Sequence, residues 1–174
     1  MKKLIYPIAG FVFIIASAFT VITSQDWQIA SNASVKFVGG DPSGEFSGCK
    51  GTISFDPNTL TSSKFDVSID VATINTGNGM KNTHAKSAMW FDAEKYPVIK
   101  FTSTSVNKTA SGYETKGIVD MHGVKKEATI PFTFNNNIFT GSLTVNRLDY
   151  NINKEEPAHG AAEFKITISV PVTK

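Results

Sequence analysis

The chain has 174 residues, 41% hydrophobic and 18% charged, with 17 Lys+Arg against 15 Asp+Glu. That length and balance fit one domain with a sizeable core, and exclude a disordered chain and a wholly membrane-embedded one. Lys2 and Lys3 account for the whole positive excess, so the remainder is neutral, has no basic run and offers nucleic acid no electrostatic footprint.

Residues 1–24 read as an export signal. Lys2 and Lys3 precede the almost continuously apolar run Leu4–Ile22, and Ala16-Ser17-Ala18 or the stretch near Ser24 offers a cleavage site. An uncleaved anchor is the competing reading, because the run approaches the ~18–20 residues that span a bilayer. Pro7, Gly10, Ser17 and Thr20 weaken it. The expected location is the periplasm or the cell exterior, with one domain over residues 25–174. Cys49 is the only cysteine, so an exported fold here stands on packing without an internal disulfide, and Cys49 reads as a small, partly buried strand residue.

From there the chain reads strand after strand. A short strand at Val35–Val38 is followed by Phe46–Phe55, whose inward parity fails: Phe46 is even, Ile53 and Phe55 odd, with Gly48 and Gly51 between. One extra residue, a bulge, puts all three on one face and bends the sheet as closure requires; otherwise Phe46 packs outside under a loop. Phe65–Val71 alternates without error, with Phe65, Val67, Ile69 and Val71 on one side and Asp66, Ser68 and Asp70 on the solvated side. Further strands are expected at Val98–Val106, Tyr113–Met121, Glu127–Phe134, Phe139–Arg147 and Phe164–Val172, and Pro171 suggests an edge or a terminating strand. Tight-turn signals such as Asp56-Pro57-Asn58, His122-Gly123 and Asn135-Asn136-Asn137 separate them. This is an antiparallel barrel or sandwich.

The segment Asn75–Phe101 interrupts the pattern. Met80, His84, Ala88 and Phe91 recur at helical spacing, which predicts a short amphipathic helix over Asn78–Phe91 and a further turn capped by Asp92. Tyr96, preceding Pro97, is biased to extended geometry and starts the next strand. A helix bearing Met, Trp and Phe must bury that face, and the nearest apolar surface is the open end of a barrel.

Candidate chemistry is sparse. His84 on the apolar helix face reads as a core-edge histidine or as a functional one; His122 lies in an exposed hairpin and His159 in a loop beside Glu155 and Glu156. No HExxH, CxxC, GxSxG, phosphate-cradling glycine loop or CxxCH occurs, so neither a metal nor a covalent cofactor is expected. Arg147 shares parity with Leu143 and Val145 and points inward or lies at a rim. Buried, it requires carbonyls or a carboxylate such as Asp149 or Asp92, and a rim ion pair explains it at least as well as a ligand contact. Many of the 13 Phe fall on inward parity, including Phe37, Phe65, Phe101, Phe132, Phe134 and Phe164. They describe a filled core, or the wall of a barrel wide enough to hold one ligand.

The stretch MKNTHAKSAMWFDAEKYPVIKFTSTSV resembles the YceI-like family, whose pattern runs H-x-x-S-x-x-F-F/W-D-x-x-K-Y-P-x-I-x-F-x-S. His84, Ser87, Trp90, Phe91, Asp92, Lys95, Tyr96, Pro97, Ile99, Phe101 and Ser103 fit it. Gly51–Asp56, Met121–Lys126 and Val145–Tyr150 match in order, so the likeness runs from Trp27 to the C-terminus. Ala85 and Lys86 depart from the Leu that members often carry after the histidine. The resemblance implies an eight-stranded antiparallel, lipocalin-like barrel with a short helical insert, an apolar tunnel for a polyisoprenoid such as a quinone tail, and neither enzymatic activity nor a metal.

On that reading Phe65, Ile69, Phe101, Phe132, Leu143 and Phe164 line the tunnel. Trp90 and Phe91 stand at its mouth, and His84, Asp92 and Arg147 form a polar rim. The partner is a lipid, with transient membrane contact and a homodimer both compatible. Two alternatives stand beside it: an exported hydrolase or isomerase using His84 with Asp92, and a filled-core β domain acting in stress or surface interactions.

Overall fold

The computed structural model describes residues 26–40 and 42–174, and the expected export signal lies outside them. Ten strand segments are present: β1 (Asp26–Ile29), β2 (Ser34–Val38), β3 (Ser43–Phe46), β4 (Cys49–Ser54), β5 (Lys64–Asp70), β6 (Val98–Thr109), β7 (Gly112–Met121), β8 (Val124–Asn135), β9 (Ile138–Asn146) and β10 (Glu163–Thr173). They make eight staves, because β1 with β2, and β3 with β4, are halves of interrupted strands. β10 pairs with β1 at Ile29↔Val172 and with β2 at Ser34↔Ser169. β4 lies beside β1 and β3 beside β2. From β4 through β5 to β10 every neighbour is antiparallel, and the β1–β10 pairing closes the ring. The result is a closed eight-stranded antiparallel barrel.

The two interruptions have physical causes. Phe46, Ile53 and Phe55 are all buried, as the bulge required, and the extra residue sits at Ser47–Gly48. The amides of Ser47 and Gly48 donate to the Thr73 hydroxyl at 3.3 Å instead of to a ladder. Pro171 marks neither an edge nor a strand end, since β10 continues to Thr173 in a barrel without edges. It pairs with Ile138 on β9 and faces the gap between β1 and β2, where its carbonyl accepts from Ala30 N at 2.9 Å. A residue without an N–H is tolerated where the ladder is already broken.

One end of the barrel is plugged. Phe55, fully buried, is ringed by Phe65, Tyr113, Phe132, Phe134 and Phe139 at centroid separations of 5.1–6.3 Å, mostly edge-on. Edge-on contact is the favourable arrangement for aromatic quadrupoles. The Trp27 indole N–H donates to Phe55 O at 2.9 Å and closes the base.

The insert covers the other end. Its helix, α1, spans only Gly79–Lys86, shorter than the expected Asn78–Phe91. Asn78 caps it, its side-chain oxygen accepting from Met80 N and Lys81 N at 3.0 and 3.1 Å. Ser87 ends it: the hydroxyl donates to His84 O at 2.7 Å, and the chain then turns so that Asp92 N reaches Ser87 O. Asp92 has φ 45° and accepts from Lys95 N and Tyr96 N through its backbone carbonyl, so the expected side-chain cap is not formed. Because α1 stops early, the Met80–Phe91 stripe never becomes one face. Nothing on α1 is buried, and Met80 is 82% exposed. His122, expected in the open, is half-buried: its ring lies 4.6 Å from that of Tyr96 and its Nδ1–H donates to Tyr150 O at 3.0 Å.

Candidate functional site

Between the aromatic plug and the insert lies a cavity of about 660 Å³ with an almost wholly apolar wall. Its floor is Phe65, Phe132 and Phe139, whose rings pack against Phe55 tilted or edge-on. Its walls are the inward positions of β5, β6, β9 and β10, among them Val67, Ile69, Phe101, Leu143, Ile166 and Ile168. These residues point into the barrel yet are only half-buried. An inward side chain in a filled core would be fully buried, so their exposure is exposure to the void. Pro42, Asn78, Met80, His84 and His159 stand at the mouth.

The structure brings most of the candidate residues together. Phe65, Ile69, Phe101, Phe132, Leu143 and Phe164 line this one cavity, and so do Trp90, Phe91, His84 and Arg147. Asp92 does not. His84 is exposed on the lip and is not the core-edge histidine expected from the helical stripe. Among the described residues no hydrogen bond or ion pair joins His84 to Asp92.

Arg147 differs most from expectation. It is 3% exposed and among the described residues has no carboxylate partner; Asp149 pairs instead with Lys126 at 3.0 Å. Six backbone carbonyls surround its guanidinium. Nε donates to Ala161 O at 3.0 Å, and one terminal nitrogen donates to Ile152 O and Asn153 O at 2.7 and 2.8 Å. The other reaches Pro157 O and His159 O at 3.0 Å, with Glu156 O at 3.4 Å. Five donors in a planar fork are what such a cage needs. Burial draws the guanidinium below its ordinary range. The cage folds the loop after β9 over the mouth, which places His159 and Gly160 on the cavity wall.

Trp90 sits at the centre of the rim, 8% exposed, with Arg147 5.2 Å over its ring and the rings of His84 and His159 at 6.0 and 6.3 Å. Its indole N–H is buried without an acceptor. Thr115 on the wall is satisfied, donating to Ser105 O at 3.2 Å. Burial pushes the Cys49 thiol, which also lines the cavity, above its usual value. Among the described residues no group of His, Cys, Asp or Glu is placed to hold a metal.

Strand parity anticipated Val67, Ile166 and Ile168, which alternate with the candidate residues. It missed His159 and Gly160, because a loop held by backbone carbonyls around an arginine leaves no side-chain motif.

A closed eight-stranded antiparallel barrel around an apolar, end-open cavity is lipocalin-like in architecture. The YceI-like domain profile matches residues 15–172. A UPF0312 protein of Pseudomonas syringae pv. tomato is 31% identical over 135 residues, which is 71% of this chain and 70% of the relative. Protein YceI of Escherichia coli is 32% identical over 87 residues, 50% of this chain and 46% of its own length. The chain belongs to the YceI-like family. Among solved structures, BcnA of Burkholderia cenocepacia superposes with a TM-score of 0.70 at 24% identity, over 86% of this chain and 96% of that one. A polyisoprenoid binding domain from Saccharophagus degradans, implicated in plant cell wall breakdown, superposes at 0.62 and 15% identity, over 84% and 97%.

Proposed function

We propose that this protein is an exported carrier that holds the hydrocarbon chain of a polyisoprenoid, or of a similar amphiphile, inside the barrel, without catalysing a reaction. The observation that carries this reading is the void itself: inward Val67, Ile69, Leu143 and Ile168 face each other across space that their side chains do not fill. A cavity of about 660 Å³ falls within the ~300–1,000 Å³ of small-molecule sites. At ~30 Å³ per heavy atom it has room for roughly twenty, the carbon count of about four isoprene units. Burying that many carbons at ~0.8 kcal/mol each gains about 16 kcal/mol. Lost translational and rotational freedom takes back ~4–15 kcal/mol. Binding is therefore feasible from apolar contact alone.

The Saccharophagus likeness agrees with this reading at the level of fold, and the charged apolar run Lys2–Ile22 supports export. A hydrolytic role for His84 with Asp92 has no geometry behind it, since Asp92 lies off the cavity.

Native mass spectrometry of the purified protein, with organic extraction of the same sample, tests the proposal. Wild type should release an apolar ligand or take up an added isoprenoid. Leu143→Trp should lose it while keeping its melting temperature, because Leu143 faces the void and belongs to none of the packed clusters among the described residues. An apo protein that refuses isoprenoid and fatty acyl ligands alike would overturn the reading.

A further inference from the structure

Three phenylalanines of the cavity wall lie over glycines of a neighbouring strand. A β-carbon at Gly44 on β3 would fall 2.8 Å from Phe37 Cζ, and one at Gly117 on β7 would fall 2.7 Å from Phe101 Cζ. At Gly39, just beyond β2, it would fall 2.6 Å from two carbons of the Phe164 ring. Each ring therefore occupies the place of a side chain that its neighbour lacks. A ring laid against the sheet in this way covers the wall and leaves the barrel axis open.

A fourth glycine has no ring over it. Gly141 on β9 lies between Phe139 and Leu143 on the inward face, pairs with Phe132 on β8 and Ile168 on β10, and lines the cavity. Phe132 and Phe139 are floor rings, so Gly141 holds the first position above the floor. A β-carbon there would meet Ile130 Cγ2 and Pro131 O at 3.2 Å and Phe132 Cβ at 3.5 Å, and would fit if those neighbours gave by a few tenths of an ångström. At Gly44 and Gly117, by contrast, a backbone carbonyl (of Asn75 and Thr102) blocks any side chain outright. Glycine weakens the interior of a strand, and its use there marks a place that another group must approach closely. At Gly141 no aromatic ring of the protein takes up that space, and beyond the missing side chain lies the void.

We propose that Gly141 is a specificity-determining residue: by leaving the floor bare it fixes the length of apolar chain that the tunnel accepts, at about four isoprene units. The proposal rests on the tunnel reading of the cavity. A leucine side chain at this position brings four carbons into a space that holds roughly twenty. It raises the floor by most of one isoprene unit, and each ligand carbon kept outside costs about four-fold in affinity. A chain one unit shorter still fits beneath the mouth and loses little. Gly39 acts at the other end, where β2 and β10 meet the mouth: a side chain there drives the Phe164 ring into the bore and obstructs chains of every length alike.

The test is native mass spectrometry of the purified protein offered an equimolar mixture of farnesol and geranylgeraniol, of three and four isoprene units. The ratio of the two complexes reads the length preference and does not depend on how much of a variant is folded. Wild type should favour geranylgeraniol. Gly141→Leu should cut that preference on the order of 100-fold, and Gly141→Ala, which adds one carbon, about four-fold. Gly39→Ala should lower total uptake and leave the preference as it is in wild type. An unchanged ratio in both Gly141 variants would overturn the proposal, as would a shift in Gly39→Ala as large as that in Gly141→Leu. Wild type that takes up both alcohols without a length preference overturns this proposal alone, whereas wild type that takes up neither overturns the tunnel reading and this proposal with it.

Discussion

Replacing Arg147 tests whether one buried cation organises the mouth. Its guanidinium makes six hydrogen bonds of 2.7–3.4 Å, all to carbonyls of the loop that runs from Ile152 to Ala161. At ~1.5–3 kcal/mol per bond to a charged group, simple addition gives about 9–18 kcal/mol. That is comparable with the ~5–15 kcal/mol of a whole domain, so simple addition overstates the bonds. Arg147→Met leaves no charge behind, but the carbonyls of buried Ile152 and Asn153 lose their donor at ~1–3 kcal/mol each, so about 2–6 kcal/mol is expected. In a body of this size that lowers the melting temperature by about 4–24 °C. Arg147→Lys keeps the charge but can make at most three of the six bonds, so it should recover no more than about half of the loss. Residues 154–160 are exposed, and their carbonyls can turn to water once released; the damage should therefore be local. Hydrogen exchange should quicken over 151–161, buried Ile152 should become accessible, and ligand retention should fall as the wall at His159 and Gly160 opens. Circular dichroism melts with exchange mass spectrometry read both effects. If Arg147→Lys melts within about 2 °C of wild type with unchanged exchange in the loop, the cage does not organise the mouth.

Two further outcomes follow from the same geometry. Phe55→Ala should cost ~3–5 kcal/mol in urea unfolding, because it empties the aromatic plug, whereas half-buried Leu143→Ala should cost under about 1.5 kcal/mol; equal losses would contradict a barrel packed at one end and hollow at the other. Cys49 should react slowly with N-ethylmaleimide at mildly alkaline pH, faster as pH rises, and more slowly still when the cavity holds lipid. Its raised thiol also makes stability fall as pH climbs past the unfolded thiol's value, because the unfolded chain ionises first.

The strands were legible because a half-buried strand must alternate, and the alternation of Phe65, Val67 and Ile69 survives in any register. Even the break after Phe46 was legible, as a failure of parity with glycines beside it. The helix was overextended for a local reason: Met80, His84, Ala88 and Phe91 keep helical spacing, yet the Ser87 hydroxyl takes the His84 carbonyl and stops α1 at Lys86. Arg147 was legible as a buried cation needing partners. That those partners are six carbonyls drawn from a ten-residue stretch of one loop was not, since backbone groups carry no sequence signature.

What the sequence determined by itself is the wall: which residues face inward and that they are apolar, whether the strands close into a barrel or stack as a sandwich. Whether that wall encloses packed side chains or a void was decided only in three dimensions. Both arrangements demand the same alternation. They differ in strand number, stagger and the fit of rings such as Phe55 and Phe132 against one another, which sets how far across the barrel each side chain reaches.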